Sequence, residues 1–153
     1  MMDIEEIRQF LIKANRNGYG NETTKQIDEP DSSHTITYSE GDWQFHDNFF
    51  GGEPFGGREV ISLNKRPVWM MVYYGVASEI SISKQIYSFL KKALVNFTDD
   101  KPYRGPTELK EGDWKYQNDV VGEFTNFSGI ESITLRGNEV YQAKYQGGLI
   151  DKS

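Results

Sequence analysis

Apolar residues recur at two different periods along this chain, and the switches between them mark out its elements. Ile4, Ile7, Leu11 and Ala14, with Phe10 beside them, fall at helical spacing and predict an amphipathic helix over residues 4–15. Asp3 is placed to cap its start, and Gly18 and Gly20 to end it. A second helical run, Ile82, Ile86, Phe89, Leu90, Ala93, Leu94 and Phe97, predicts a helix over about 82–97. Ser81 or Ser83 stands at its start and Pro102 lies beyond its end. Between the helices the period drops to two. Residues 35–39, 43–50, 59–63 and 68–74 read as strands, separated by a Glu40-Gly41-Asp42 turn, a glycine-rich connection at 51–57 and a turn at 64–67. Residues 21–34 are polar, contain Pro30 and read as a long loop.

The same order returns after the second helix. Tyr38-Ser-Glu-Gly-Asp-Trp-Gln-Phe reappears as Leu109-Lys-Glu-Gly-Asp-Trp-Lys-Tyr, and Phe55, Gly57, Glu59 and Ile61 correspond to Phe127, Gly129, Glu131 and Ile133. The expectation is an α+β fold built from an internally duplicated α-β-β-β-β unit. Two helices pack on antiparallel sheet with approximate two-fold symmetry. The chain is read as a single domain of two repeats, about 4–75 and 82–147. Whether the halves share one sheet or make two is open at this point.

Strand residues alternate faces, so the copies can be compared face by face. Tyr141, Ala143 and Tyr145 form one apolar set, while Gln142, Lys144 and Gln146 form a wet side. The matching strand of the first copy, Val68-Trp-Met-Met-Val-Tyr-Tyr, is apolar on both faces. Its excess lies in Met70, Val72 and Tyr74, which stand where the second copy has polar residues. Val60 replaces Ser132 in the same sense, with Phe50 and His46 at the margin. An apolar sheet face of this kind needs a cover. Three covers are open to it: the 21–34 loop, a partner subunit, or a ligand.

Composition narrows the classes. At 153 residues the chain suits one domain, and its 14% aromatic content supplies a core. With no cysteine there is no disulfide framework, thiolate nucleophile or cysteine zinc site. The net charge of −6 argues against nucleic acid as a partner, since phosphate binding needs a basic stripe. No signal-like segment or apolar run of about 18–20 residues is present, so a cytoplasmic protein that does not engage membrane is expected.

Candidate chemistry is thin. The paired carboxylates at Glu40/Asp42 and Glu111/Asp113 flank glycines at turns, which marks hairpins rather than acid–base pairs. Glu59 and Glu131 share strand faces with isoleucine and leucine, so each needs a buried partner, either backbone or a Trp or Tyr donor in the glycine-rich turn. His46-Asp47 offers a general base or half a metal site, but the only other histidine is His34, and no metal-ligand spacing results. Neither a metal nor a cofactor is expected. The glycines at 51–57 do not form a phosphate-binding fingerprint. Arg104, in Tyr103-Arg104-Gly105-Pro106, can clamp a carboxylate or phosphate. The plainer reading pairs it with Asp99 or Asp100.

Glu-Gly-Asp-Trp, Phe-Gly-Gly-Glu-Pro-Phe-Gly-Gly-Arg-Glu, Pro67-Val68-Trp69-Met70, Tyr103-Arg104-Gly105-Pro106 and Tyr145-Gln-Gly-Gly148, in that order, resemble an uncharacterised prokaryotic family, the domain of unknown function numbered 5680. The resemblance covers about residues 8–148. It implies a module found alone or behind helix-turn-helix regulators, and so a sensing or dimerising role rather than an enzymatic one. The helix at 4–15 is too short to be such a DNA-binding domain. A looser likeness is to regulatory effector-binding domains made of duplicated helix-plus-strand units, although the repeat order differs.

The functional expectation is a non-enzymatic module that binds a small apolar or aromatic molecule, lined by His46, Phe50, Met70, Val72 and Tyr74 with Arg104 as polar anchor. One alternative is an interaction protein that homodimerises through the apolar sheet face. Another is a hydrolase or isomerase using Glu59 or the His46/Asp47 pair.

Overall fold

In the computed structural model, which describes residues 3–18 and 26–151, every long strand joins one antiparallel sheet of nine strands. The elements are α1 (Ile4–Gly18), β1 (Ile27–Asp28), β2 (His34–Glu40), β3 (Trp43–Gly51), β4 (Phe55–Leu63), β5 (Arg66–Ala77), α2 (Ser83–Val95), β6 (Glu108–Glu111), β7 (Trp114–Glu123), β8 (Asn126–Leu135) and β9 (Asn138–Leu149). The strand order is β1-β2-β3-β4-β5-β9-β8-β7-β6. Two meanders, β2 to β5 and β6 to β9, thus meet along β5 and β9. This answers the question of one sheet or two. No helix among the described residues is long and apolar enough to cross a membrane.

Both helices lie on the same side of the sheet. Ile7, Phe10, Leu11 and Ala14 of α1 pack with Phe45, Ile61, Trp69 and Met71. Ile86, Phe89, Leu90 and Ala93 of α2 pack with Tyr116, Ile133, Tyr141 and Ala143. Tyr73 and Tyr145 are direct cross-strand partners at the β5–β9 junction, so the two clusters share a face. Most of the helical face read from the sequence is buried; Ile4 at the start of α1 is 43% exposed, Ile12 is buried in addition, and Phe97 lies beyond the end of α2.

Boundaries shift for physical reasons. Asp3 does cap α1, accepting a hydrogen bond from the Glu5 amide at 2.9 Å. At α2 the cap position is held by Ile82, reached through a 3-10 turn at Ile80–Ile82, so neither serine caps it. That helix stops at Val95, two residues short of expectation. The strands overrun the predicted ends: β4 starts at Phe55 and β5 runs on to Ala77. Gly56 and Gly57 are therefore strand residues rather than linker. A Cβ at Gly57 would lie 2.6 Å from the Tyr73 hydroxyl, so the ring crosses the strand where the side chain is missing. The expected 21–34 loop is interrupted by β1 and a turn before β2; its residues 21–25 lie outside the described ones.

Candidate ligand-binding face

Alternation along β3, β4 and β5 sends His46, Asn48 and Phe50, then Gly56, Arg58 and Val60, then Met70, Val72 and Tyr74 to the side away from the helices. Register turns these nine positions into a tile. Its rows are His46-Val60-Met70, Asn48-Arg58-Val72 and Phe50-Gly56-Tyr74. Five of the six predicted site residues are thereby brought together. Val72 is 41% exposed, Tyr74 57% and Phe50 49%. Ten large apolar side chains are exposed among the described residues, and six of them, Phe50, Val72, Tyr74, Val76, Val121 and Ile130, sit on this one face. Scattered exposed apolar residues are ordinary, but a cluster on one sheet face is not.

Two hollows border the tile. One, of about 730 Å³, lies along the β5–β9 seam and is walled by Met70, Val72, Val121, Phe127 and Leu149, with Asn126, Ser128 and Gln146 as polar points. The other, of about 420 Å³, lies against the turn that precedes β2, between Glu29, Asp31, His46, Asn48 and Arg58. That turn borders the tile on the β2 side and does not line the hollow that holds Met70 and Val72. Burial and the nearby Arg58 charge push the His46 imidazole below its ordinary pKa, against the pull of Asp47 and Glu29.

Arg104 is elsewhere. It lies on the helix side, where its Nε and Nη2 donate to the two carboxylate oxygens of Glu131 at 3.0 and 2.7 Å. The pair is nearly sealed from solvent, with Arg104 8% and Glu131 0% exposed. Asp99 is taken instead by Arg16. The Tyr116 and Tyr141 hydroxyls each donate to Glu131 at 2.7 Å, and the Gly105 amide donates to the Tyr116 oxygen at 2.9 Å. Burial alone would raise the Glu131 pKa. The Arg104 charge and the hydrogen bonds from Arg104, Tyr141 and Tyr116 outweigh it and hold the carboxyl below its ordinary range. Burial and the Glu131 charge push both phenols well up, so they remain donors. With four hydrogen bonds on one carboxylate, Glu131 has no capacity left for acid–base chemistry. The expected partner was backbone or a Trp or Tyr donor in the glycine-rich turn; the partners found are tyrosines of β7 and β9 and the arginine.

The enzymatic residues fare differently. His46 and Asp47 are neighbours in sequence but face opposite sides of the sheet, with Asp47 4% exposed on the helix side. They cannot act as a pair. Asp47 accepts a 2.5 Å hydrogen bond from the Tyr73 hydroxyl, whose ring lies under the Arg104 guanidinium at 5.2 Å. Glu59 is buried opposite Asp47 across β3 and β4. Among the described residues no three His, Asp or Glu side chains converge as a metal site. Arg58 escaped the sequence reading because its strand was taken to begin at Glu59. Two residues back from Val60, alternation would have placed it on the apolar face.

The molecule is an α+β protein with one open antiparallel sheet, helices on one side and an exposed, partly apolar face on the other. It belongs to the family described as Domain of unknown function (DUF5680), which its sequence matches over residues 47–150. No curated protein and no solved structure matches it.

Proposed function

We propose that this chain is a non-enzymatic binding or sensing module that receives a small apolar or aromatic molecule on the sheet face opposite its helices. His46, Phe50, Met70, Val72 and Tyr74 line the site. One observation carries the reading: six exposed large apolar residues share this face, beside a hollow of about 730 Å³ walled by Met70 and Val72. The mirrored order of the two meanders supports an origin by duplication, with repeats near 4–75 and 82–147, in which only the first kept the apolar tile. Thermal-shift screening against a metabolite library is expected to find a stabilising compound whose effect disappears in Val72→Ser. A saturating screen without a hit would count against the reading.

A second reading, homodimerisation through the same face, is favoured by Ile130 and Val121. They carry apolar exposure beyond β5 onto the other half of the sheet, farther than a small ligand extends. Met70→Lys with Val72→Glu would then give a folded monomer. A wild-type protein that sediments as a monomer at high micromolar concentration removes this alternative.

A further inference from the structure

The charge pattern of the tile points to a ligand class. Arg58 occupies its centre, with Asn48 and Val72 as cross-strand neighbours and Gly56 and Val60 along its own strand face. None of these is acidic. Lys144, paired with Tyr74 across β5 and β9, supplies a second cation on the far side of Val72 and Tyr74. Neither Arg58 nor Lys144 takes part in any of the nine ion pairs among the described residues. The full chain has 23 acidic residues against 17 basic ones, so carboxylates are abundant, yet none of those ion pairs engages this guanidinium, which rises from a surface flanked by Val60 and Val72. Glu29 and Asp31 line the smaller hollow together with Arg58. Asp31 is already engaged by the amide and hydroxyl of Ser33.

A guanidinium fork matches the paired oxygens of a carboxylate, sulfonate or phosphate. Val72, directly opposite Arg58, also walls the larger hollow. We propose that the face takes an anionic amphiphile. Its oxyanion head sits on the Arg58 guanidinium, and its apolar or aromatic body lies over Val72 and Met70 into the hollow. This rests on the binding-module reading above and replaces Arg104 with Arg58 as the polar anchor. Lys144 contributes long-range attraction from the other side.

Two dyes with one skeleton separate the claims: anilinonaphthalene sulfonate and its uncharged parent, phenylnaphthylamine. Fluorescence titration of wild type, Arg58→Gln, Arg58→Lys and Val72→Ser is expected to give binding of both dyes, with the sulfonate preferred. Arg58→Gln should weaken the sulfonate dye by about tenfold or more, while the parent changes less than about twofold. Arg58→Lys should restore part of the preference, and Val72→Ser should weaken both dyes. Equal binding of the two dyes that is indifferent to Arg58→Gln overturns the anionic anchor and leaves the apolar face standing. Failure of both dyes to bind overturns the anchor and the binding reading together. A wild type that sediments as a dimer and excludes both dyes also overturns it, with a second copy as occupant.

Discussion

The two halves of the sheet solve the same burial problem with different chemistry. In the β6–β9 half, Glu131 sits opposite Asn118, and an arginine with two phenols closes around it. In the β2–β5 half, the corresponding pair is Glu59 opposite Asp47, two carboxylates facing each other across strands, with the Tyr73 hydroxyl on Asp47. Where one half has Tyr116 and Tyr141, the other has Phe45 and Trp69, which bring no hydroxyl to the glutamate. On the outer side the contrast runs the other way: the first half sets Val60, Met70 and Val72 around Arg58, and the second sets Ser128, Ser132, Gln142 and Gln146 near Lys144, with Ile130 and Val121 as apolar exceptions. One half has its polar investment in the core. The other carries its apolar excess on the surface, where the proposed binding would use it.

The strongest way to break this comparison is to remove one member of the Arg104–Glu131 pair. Glu131→Ala or Arg104→Ala leaves a buried charge uncompensated, and each should lower unfolding stability by about 3–5 kcal/mol in urea titrations. A loss below about 1 kcal/mol would mean that the network does not hold the β6–β9 half together. The same glutamate sets an acid limb. Its folded pKa lies below its ordinary 4.5, so its contribution is complete above about pH 4.5 and is lost as pH falls through the lower folded value. Wild type should therefore lose stability more steeply than Glu131→Gln below pH 4.5; parallel curves would contradict the assignment.

A smaller effect sharpens the contrast at the seam. Tyr73 and Tyr145 are cross-strand partners, but Tyr73 donates to a carboxylate and Tyr145 to the neutral Asn118 amide at 2.6 Å. Tyr73→Phe should cost about 1.5–3 kcal/mol and Tyr145→Phe about 0.5–1.5 kcal/mol by the same titration. The reverse order would remove the distinction between the halves. The smallest effect belongs to the outer face. Val72→Ser and Tyr74→Ser should each change stability by no more than about 0.5 kcal/mol in the free protein, because both side chains are already exposed. A large loss in either would show that the face is part of the core.

The elements and the faces of the strands were legible because burial enforces periodicity. Ile7 and Leu11, or Tyr141 and Tyr145, repeat at the spacing of the face they bury. The apolar excess at Met70, Val72 and Tyr74 was legible for the same reason. Arg104 was not. It sits in an irregular segment between α2 and β6, where no periodicity fixes the direction of a side chain, and its partner is 27 residues away. The nearby Asp99 and Asp100 looked better only because sequence distance is visible and spatial distance is not. Gly56 and Gly57 misled in the opposite way: glycine usually signals a break, yet here it makes room for tyrosine rings within a strand. That error hid Arg58.

The ends of the sheet limit how this molecule meets others. β1 has only two residues, and β6 is the four-residue Glu108-Leu-Lys-Glu111, three of them charged. These outer strands cover only His34 and Thr35 of β2 and residues 114–117 of β7, and the stretches beyond them carry charges, Glu40 on one and Asp119 and Glu123 on the other, which work against an incoming strand. Growth of the sheet by strand addition, into a larger assembly or a fibre, is therefore discouraged at both margins. Under the proposed function, recognition falls to the broad side of the sheet, where chemistry rather than backbone pairing would choose the partner.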